Sequence, residues 1–322
     1  MNDVLATLEE IEQAAEIVYS VMPPTPQYCW PLLCEKLGAE VWTKHENHSP
    51  LGAFKVRGGL VYFSELASTQ SVQGVIAATR GNHGQSVGLA AKHYGIPATI
   101  VVPHGNSKEK NNAMRALGVE LIEHGDDFQA AKEYAEKLAE EKSLHMVQSF
   151  HPLLVRGVAT YCVELLRAVP NLNTVYVPIG LGSGIVAMLA AREALGLTCE
   201  IVGVVSSHAR AYSESFTKKQ LVESPATTLL ADGMACRTPN AQALEIILQH
   251  VDRILEVTDL DVANAIRMLF ECTHNLSEGA GAAALAAAIK ETHQNRGRKI
   301  AVVLTGGNID RELFANILTD KF

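Results

Sequence analysis

Lys55 is unusual for the residues around it. It lies in LGAFKVRGG (51–59), next to the ring of Phe54 and among Gly52, Ala53, Gly58 and Gly59. An amine kept from water loses hydration of its charged form, so its pKa falls and it becomes nucleophilic. That is what a Schiff base with an aldehyde requires. Read by its neighbours alone, Lys55 is more simply an ordinary lysine on a solvated helix.

Three further stretches bear on the choice, each a glycine-containing turn after an apolar run: AATRGNHGQS (77–86), PIGLGSGI (178–185) and LTGGNID (304–310). Glycine lets backbone approach a ligand closely, and the helix that follows such a turn points free N–H groups and its positive dipole end at it. PIGLGSGI suits a phosphate best, with Gly180, Gly182 and Gly184 around Leu181 and Ser183. No Lys-Ser/Thr follows, so it is not a P-loop, and no acidic residue about 20 positions on is placed for a ribose hydroxyl. A cofactor with one phosphate fits better than a dinucleotide. Pyridoxal 5'-phosphate (PLP) has one phosphate, one aldehyde and a ring that acts as an electron sink.

These residues need elements to position them, and the chain alternates strand-like and helix-like segments from about residue 72 onward. Strands are expected at 74–79, 97–103, 119–125, 144–150, 174–180, 199–207, 253–257 and 299–307 from short apolar runs ended by turn residues. Helices are expected at 82–95, 107–118, 126–142, after 180 to about Leu195, and at 239–249, 259–272, 278–291 and 310–321. Residues 208–238 break the pattern and read as a long connection near the site or the surface. Alternation of this kind implies an α/β fold of two lobes, each an open, mainly parallel sheet flanked by helices, with ligands at the carboxyl ends of strands. The expected division is 1–70 with 152–322 as the large domain and 71–151 as the small one, and a length of 322 residues agrees with two domains.

Bulk properties exclude several classes. Hydrophobic residues make up 48% and charged residues 19%, which supports a buried core. A net charge of −8 argues against nucleic-acid or anionic-membrane partners. No apolar run is long enough for a membrane span, and the acidic, amphipathic start lacks the layout of a signal peptide. Six scattered cysteines without a CxxC pair read as free thiols in a reducing cytoplasm.

Taken together, TPQYCWPLL (25–33), KHENHSPLGAFKVRGG (44–59), GNHGQ (81–85), PIGLGSG, ADGMA (231–235), SEGAGAAALAA (277–287) and LTGGNID resemble the fold type II PLP enzymes of the serine/threonine dehydratase and serine racemase group, with a tryptophan synthase β-like fold. The resemblance runs over nearly the whole chain. It implies PLP as cofactor, with Lys55 as the Schiff-base lysine that later moves the substrate Cα proton. Phe54 packs beside the ring and Asn82 bonds the ring hydroxyl. Gly180, Leu181, Gly182, Ser183 and Gly184 cradle the phosphate. Thr305 stands where the family usually has Ser, as partner of the ring nitrogen, and Glu278 approaches the cofactor. Thr79, Arg80, Gly81, Asn82 and His83 form the turn that grips the substrate carboxylate. Two plainer readings stay open: His83 as the first turn of a helix, and Glu278 as a helix cap. A homodimer is implied by the resemblance alone.

Three departures matter. Ala53 replaces the usual Ser. Arg80 replaces the small residue, often Ser, that serves as second acid/base in serine racemases, and an arginine is a poor proton shuttle. The segment VVSSHARAY (204–212) lacks the carboxylates with which relatives hold a divalent cation, so no metal is expected. Arg80 and Arg156 are candidates to bind a second acidic or polar group on the substrate, against the plain alternative of salt bridges within the protein. The expected function is a PLP-dependent ammonia-lyase (dehydratase) acting on a 3-hydroxy amino acid, threonine- or serine-like, 3-hydroxyaspartate or bulkier. The alternatives are a β-replacement synthase and an amino-acid racemase. With the chain ending after the 310–321 helix, no C-terminal regulatory domain is expected.

Overall fold

The computed structural model describes residues 4–322. Among the described residues, ten strands form two sheets. β1 (Gln27–Cys29), β2 (Glu40–His45), β7 (Thr174–Pro178), β8 (Glu200–Ser206), β9 (Arg253–Val257) and β10 (Lys299–Leu304) make one in the order β1-β2-β10-β7-β8-β9. β3 (Val75–Ala78), β4 (Ala98–Val102), β5 (Glu120–Glu123) and β6 (His145–Met146) make the other in the order β5-β4-β3-β6. Every pairing is parallel except β1 with β2. The chain leaves the larger sheet after β2 and returns to it at β7.

Parallel strands covered by helices on both faces carry continuous apolar runs, and β3 and β7 are buried at every position. One covering helix, Gly279–Lys290, is built almost wholly of Gly and Ala and is buried through Ala288. Its closeness to the sheet requires those small residues. A Cβ on Gly281 would stand 2.3 Å from the Gly306 carbonyl oxygen.

The first 70 residues contain elements that apolar periodicity does not reveal. These are β1, β2, the helix Pro31–Leu37 and the helix Lys55–Thr69. β2 reads EVWTKH, yet Lys44 and His45 are fully buried in it. Lys44 is tolerated because its amine meets Glu164 at 2.5 Å and the Thr25 carbonyl at 2.7 Å. Arg57, two residues after Lys55, joins the same cluster. It pairs with Glu46 at 2.8 Å and Glu164 at 2.6 Å and donates to Thr160 at 2.9 Å. Charges this deep persist only when paired and hydrogen-bonded. The cluster fixes the start of the Lys55–Thr69 helix between β2 and the helix Pro152–Ala168.

Two expectations need correction. The 144–150 strand shrinks to His145–Met146 because only those two residues pair with β3. The 208–238 connection contains a helix, Ala211–Lys218, and a 3-10 turn at Asp232–Met234.

Candidate active site

The order β2-β10-β7 places three candidate stretches side by side at the carboxyl ends of neighbouring strands. β2 leads to Lys55, β10 to Thr305 and β7 to Gly180. β3 of the second sheet ends one residue before Thr79, and the Thr79–His83 turn faces the others across the cleft. Asn82 reaches Glu278, at the start of the Gly279–Lys290 helix, with a 2.6 Å hydrogen bond.

Lys55 is the first residue of its helix. Its amine lies 3.5 Å from Ser183 Oγ and 5.2 Å from the centre of the Phe54 ring. Burial pulls the amine down to about 8, and the Glu278 carboxyl works against that only in part. The backbone of Phe54 is tied to the β10 end, its N–H donating to the Thr305 carbonyl at 3.0 Å. Lys55, Phe54, Ser183 and Thr305 therefore meet at one place.

The turn at 180–184 has no room for side chains where glycines stand. A Cβ on Gly180 would lie 2.3 Å from the Gly233 carbonyl oxygen. Gly182 has φ +102°, and a Cβ there would lie 2.6 Å from Ala243 Cβ. Tyr212, in the Ala211–Lys218 helix, pins the turn by donating to the Leu181 carbonyl at 2.9 Å while accepting from the Asn240 N–H at 3.1 Å. The helix Ser183–Ala194 follows, and the N–H groups of its first turn have no intrahelical acceptor. This is an anion cradle at a helix N-terminus.

On the opposite wall, Thr79 Oγ accepts from the N–H groups of Gly81 at 3.0 Å and Gly84 at 3.3 Å, which shapes the turn. The side chain of Asn82 is held at both ends, since its Oδ1 accepts from Asn308 Nδ2 at 2.8 Å. Glu278 occupies the N-cap position of its helix but does not cap it with its side chain. Burial pushes its carboxyl up to about 7, opposed by Lys110 and reinforced by Asp232. Its second oxygen, Oε2, is buried without a hydrogen-bond partner. His83 is both a first-turn residue and a buried one. Burial and then Lys55 hold its ring down at about 3, and its Nε2 has no partner.

Lys110, Asp232, Asn308 and Tyr212 join the site without having been singled out from the sequence. Lys110 comes from the helix Lys108–Ala116, crosses the cleft to Asp232 at 2.6 Å and approaches Glu278 at 3.9 Å. Its stem packs where a Cβ on Gly81 would lie 2.7 Å from Lys110 Cδ. Burial lowers the Lys110 amine, but Asp232 and Glu278 outweigh that and hold it above the usual lysine range. Asp232 and Asn308 lie within motifs already marked by glycines. Lys110 carries no local signal.

The two arginines part company. Arg156 pairs with Glu10 at 2.7 Å, the plainer alternative of a salt bridge within the protein. Arg80 is exposed and makes no ion pair or side-chain hydrogen bond among the described residues. Arg210 is taken by Glu256 at 3.0 Å. Among the described residues, no three His, Cys, Asp or Glu side chains are grouped to hold a metal ion, and no helix is long and apolar enough to cross a membrane.

The residues present fit a phosphate-bearing aldehyde. A buried amine of lowered pKa, a side-chain-free cradle at a helix N-terminus and two orphaned polar atoms, Glu278 Oε2 and His83 Nε2, surround one cleft.

The family model for pyridoxal-phosphate dependent enzymes matches residues 20–306. The chain is 32% identical to the L-threonine ammonia-lyase of Thermotoga maritima over 98% of its own length and 78% of that protein's. It is 32% identical to a catabolic L-threonine dehydratase of Staphylococcus aureus over 95% of its own length and 90% of the relative's. Its fold matches that of maize serine racemase with a TM-score of 0.90 at 25% identity, covering 98% of each chain.

Proposed function

Because the chain belongs to the pyridoxal-phosphate dependent enzymes, we propose that it is an ammonia-lyase that converts a 3-hydroxy amino acid to a 2-oxo acid and ammonia. The observation that carries this reading is the likeness, over 98% of the chain, to a protein named as a threonine ammonia-lyase. The replacement of a small residue by Arg80 supports elimination over racemisation, because a guanidinium stays protonated near neutral pH and cannot act as a base.

In this reading the backbone of Gly180, Leu181, Gly182, Ser183 and Gly184 holds the phosphate and Phe54 packs beside the ring. Asn82 would serve the ring hydroxyl and Thr305 the ring nitrogen, with Glu278 close by. When bound, PLP would supply an aldehyde for the substrate amine and a ring able to delocalise the electron pair left at Cα. Lys55 Nζ removes the Cα proton, and an amine at about 8 is well matched to that task near neutral pH. The Thr79–His83 turn holds the substrate carboxylate. A hydroxyl partner at Thr305 leaves the ring nitrogen unprotonated, which suits loss of a β-hydroxyl. Residues 71–151 serve as the smaller of two domains, a division consistent with β3 to β6 forming their own sheet. The same reading takes the chain as a cytoplasmic homodimer.

A screen of 3-hydroxy amino acids for 2-oxo acid release tests the proposal and identifies the substrate. Lys55→Ala is expected to lose at least about 1,000-fold in turnover, within the range for removing a general base that is also a nucleophile. Cysteine formation from serine and sulfide with little pyruvate would instead make the protein a synthase. Inversion of recovered substrate would make it a racemase.

A further inference from the structure

A cavity of about 10 Å³ borders Lys55 and is lined by Gly58, His83, Ser149, Leu154, Val158 and Ser183 as well. It lies at the seam between the two sheets' lobes. His83 and Ser149 come from one side; Lys55, Gly58, Leu154, Val158 and Ser183 come from the other. The apolar wall cannot recede, because the two helices that form it touch. A Cβ on Gly58 would lie 2.7 Å from the Leu154 carbonyl oxygen.

The polar wall is specific about what it accepts. His83 is only 6% exposed, and its Nε2 has no hydrogen-bond partner. The ring bonds the Val147 backbone. The Val147 N–H is already given to the Ile76 carbonyl at 2.8 Å, so the ring N–H donates to the Val147 carbonyl. Nε2 is the buried ring nitrogen left without a partner, so it is the one assigned a lone pair. Burial and the nearby Lys55 keep the ring neutral. An orphaned acceptor in a buried site calls for a donor. A cavity of about 10–15 Å³ holds one water if two to four polar partners surround it. Here His83 Nε2, Ser149, Ser183 and Lys55 supply them.

We propose that this cavity binds one water molecule, and that the water carries a hydrogen bond from the Lys55 amine to His83 Nε2. The water donates to Nε2 and accepts from Nζ, while Ser149 and Ser183 complete its shell. No proton passes to His83, which is a positioning residue. It supports the proton that Lys55 holds, so Lys55 is a stronger base with the water bound than without it. The ionisable group acting on Lys55 is Glu278, from the loop before the Gly279–Lys290 helix, while Lys55 itself acts on His83. Glu278 in turn is faced by Lys110 and Asp232.

The link to catalysis rests on Lys55 being the base of the proposed reaction, but the test needs no substrate. Lys55 acylation by acetic anhydride is followed by mass spectrometry across pH in the cofactor-free full chain, as wild type, His83→Leu and His83→Gln. The wild-type midpoint is expected near the amine's value of about 8. His83→Leu should lower it by roughly half to one pH unit, the span of one net hydrogen bond. His83→Gln, which keeps a donor for Val147 and an acceptor, should restore it. An unchanged or raised midpoint in folded His83→Leu overturns the proposal. Should that variant not fold, a high-resolution crystal structure of the wild-type holoprotein decides. Density for a water within hydrogen-bond reach of His83 Nε2 and of Ser149 or Ser183 Oγ supports the site, and its absence overturns it. A wild-type screen that finds no ammonia-lyase activity would leave the midpoint shift standing, so the two readings fail separately.

Discussion

The chain buries charge in two places and treats them differently. Behind the Lys55 helix, Lys44, Glu46, Arg57 and Glu164 form a balanced group of two cations and two anions. Each carboxylate oxygen of Glu46 and Glu164 accepts at least one hydrogen bond, from Thr25, Tyr19, Lys44 or Arg57. In the cleft, Lys55, His83, Lys110, Asp232 and Glu278 are less deeply enclosed, Asp232 being a third exposed, and are left incomplete. Glu278 Oε2 and His83 Nε2 have no partner, and Lys55 has one long contact to Ser183. The protonation states differ accordingly. Burial raises Glu164, but Arg57 and Lys44 outweigh it and hold the carboxyl below its usual range. Glu278, with a weaker and more distant lysine, is pushed up to about 7. A saturated cluster fixes geometry, whereas an unsaturated one keeps groups able to gain or lose a proton near neutral pH.

The largest expected effect comes from breaking the saturated cluster. Arg57→Met strands two buried carboxylates with only Lys44 between them. Removing one partner of a buried ion pair typically costs about 3–5 kcal/mol, so the variant is expected to unfold at a much lower temperature. Thermal unfolding followed by circular dichroism checks this. A loss under about 1 kcal/mol would show that water or Lys44 satisfies the carboxylates and that the cluster is not what secures the helix.

That contrast also explains what could be read along the chain. β3, β7, β8 and β10 are legible because each is a short apolar run ended by a turn, and their carboxyl ends announce the cleft. β2 is not, because the burial of Lys44 depends on Glu164, 120 positions away. Lys110 is hidden for the same reason, since Asp232 lies 122 positions off. Glycine positions in the site are legible where backbone must approach closely, as at Gly180 and Gly182. The Ala211–Lys218 helix is masked by its Ser and Thr content, and Tyr212 acquires its role only through the fold.

In the unsaturated cluster the sign of the stability change reverses. Glu278 has a folded pKa of about 7 against the ordinary 4.5. A carboxyl raised in this way favours the fold while protonated. That advantage is fully present below about pH 4.5, shrinks as pH rises and is gone above pH 7. The shift corresponds to an order of 3 kcal/mol. Glu278→Gln keeps an acceptor for Asn82 and cannot ionise. It should therefore match wild type in Tm near pH 5 and exceed it near pH 8, with turnover reduced. A Tm difference that does not grow between pH 5 and pH 8 would show that Lys110 neutralises Glu278 more fully than a 3.9 Å separation suggests.

Arg80 belongs to neither cluster, and the smallest change in stability is expected there. It is exposed on the turn between the buried Thr79 and Gly81. Arg80→Ala should therefore alter stability by no more than about 0.5 kcal/mol. Its effect should appear in substrate choice. An arginine beside the turn proposed to hold the substrate carboxylate can pair with a second anionic group on the substrate, and a hydrogen bond to a charged group is worth about 1.5–3 kcal/mol. Comparing kcat/KM for 3-hydroxyaspartate, threonine and phenylserine in wild type and Arg80→Ala separates the possibilities. A loss of about ten- to a hundredfold confined to 3-hydroxyaspartate would make Arg80 the residue that selects an acidic side chain. An unchanged order of preference would leave it a solvated side chain, and selectivity would then rest with Lys110 and Asp232, whose charges already meet across the cleft.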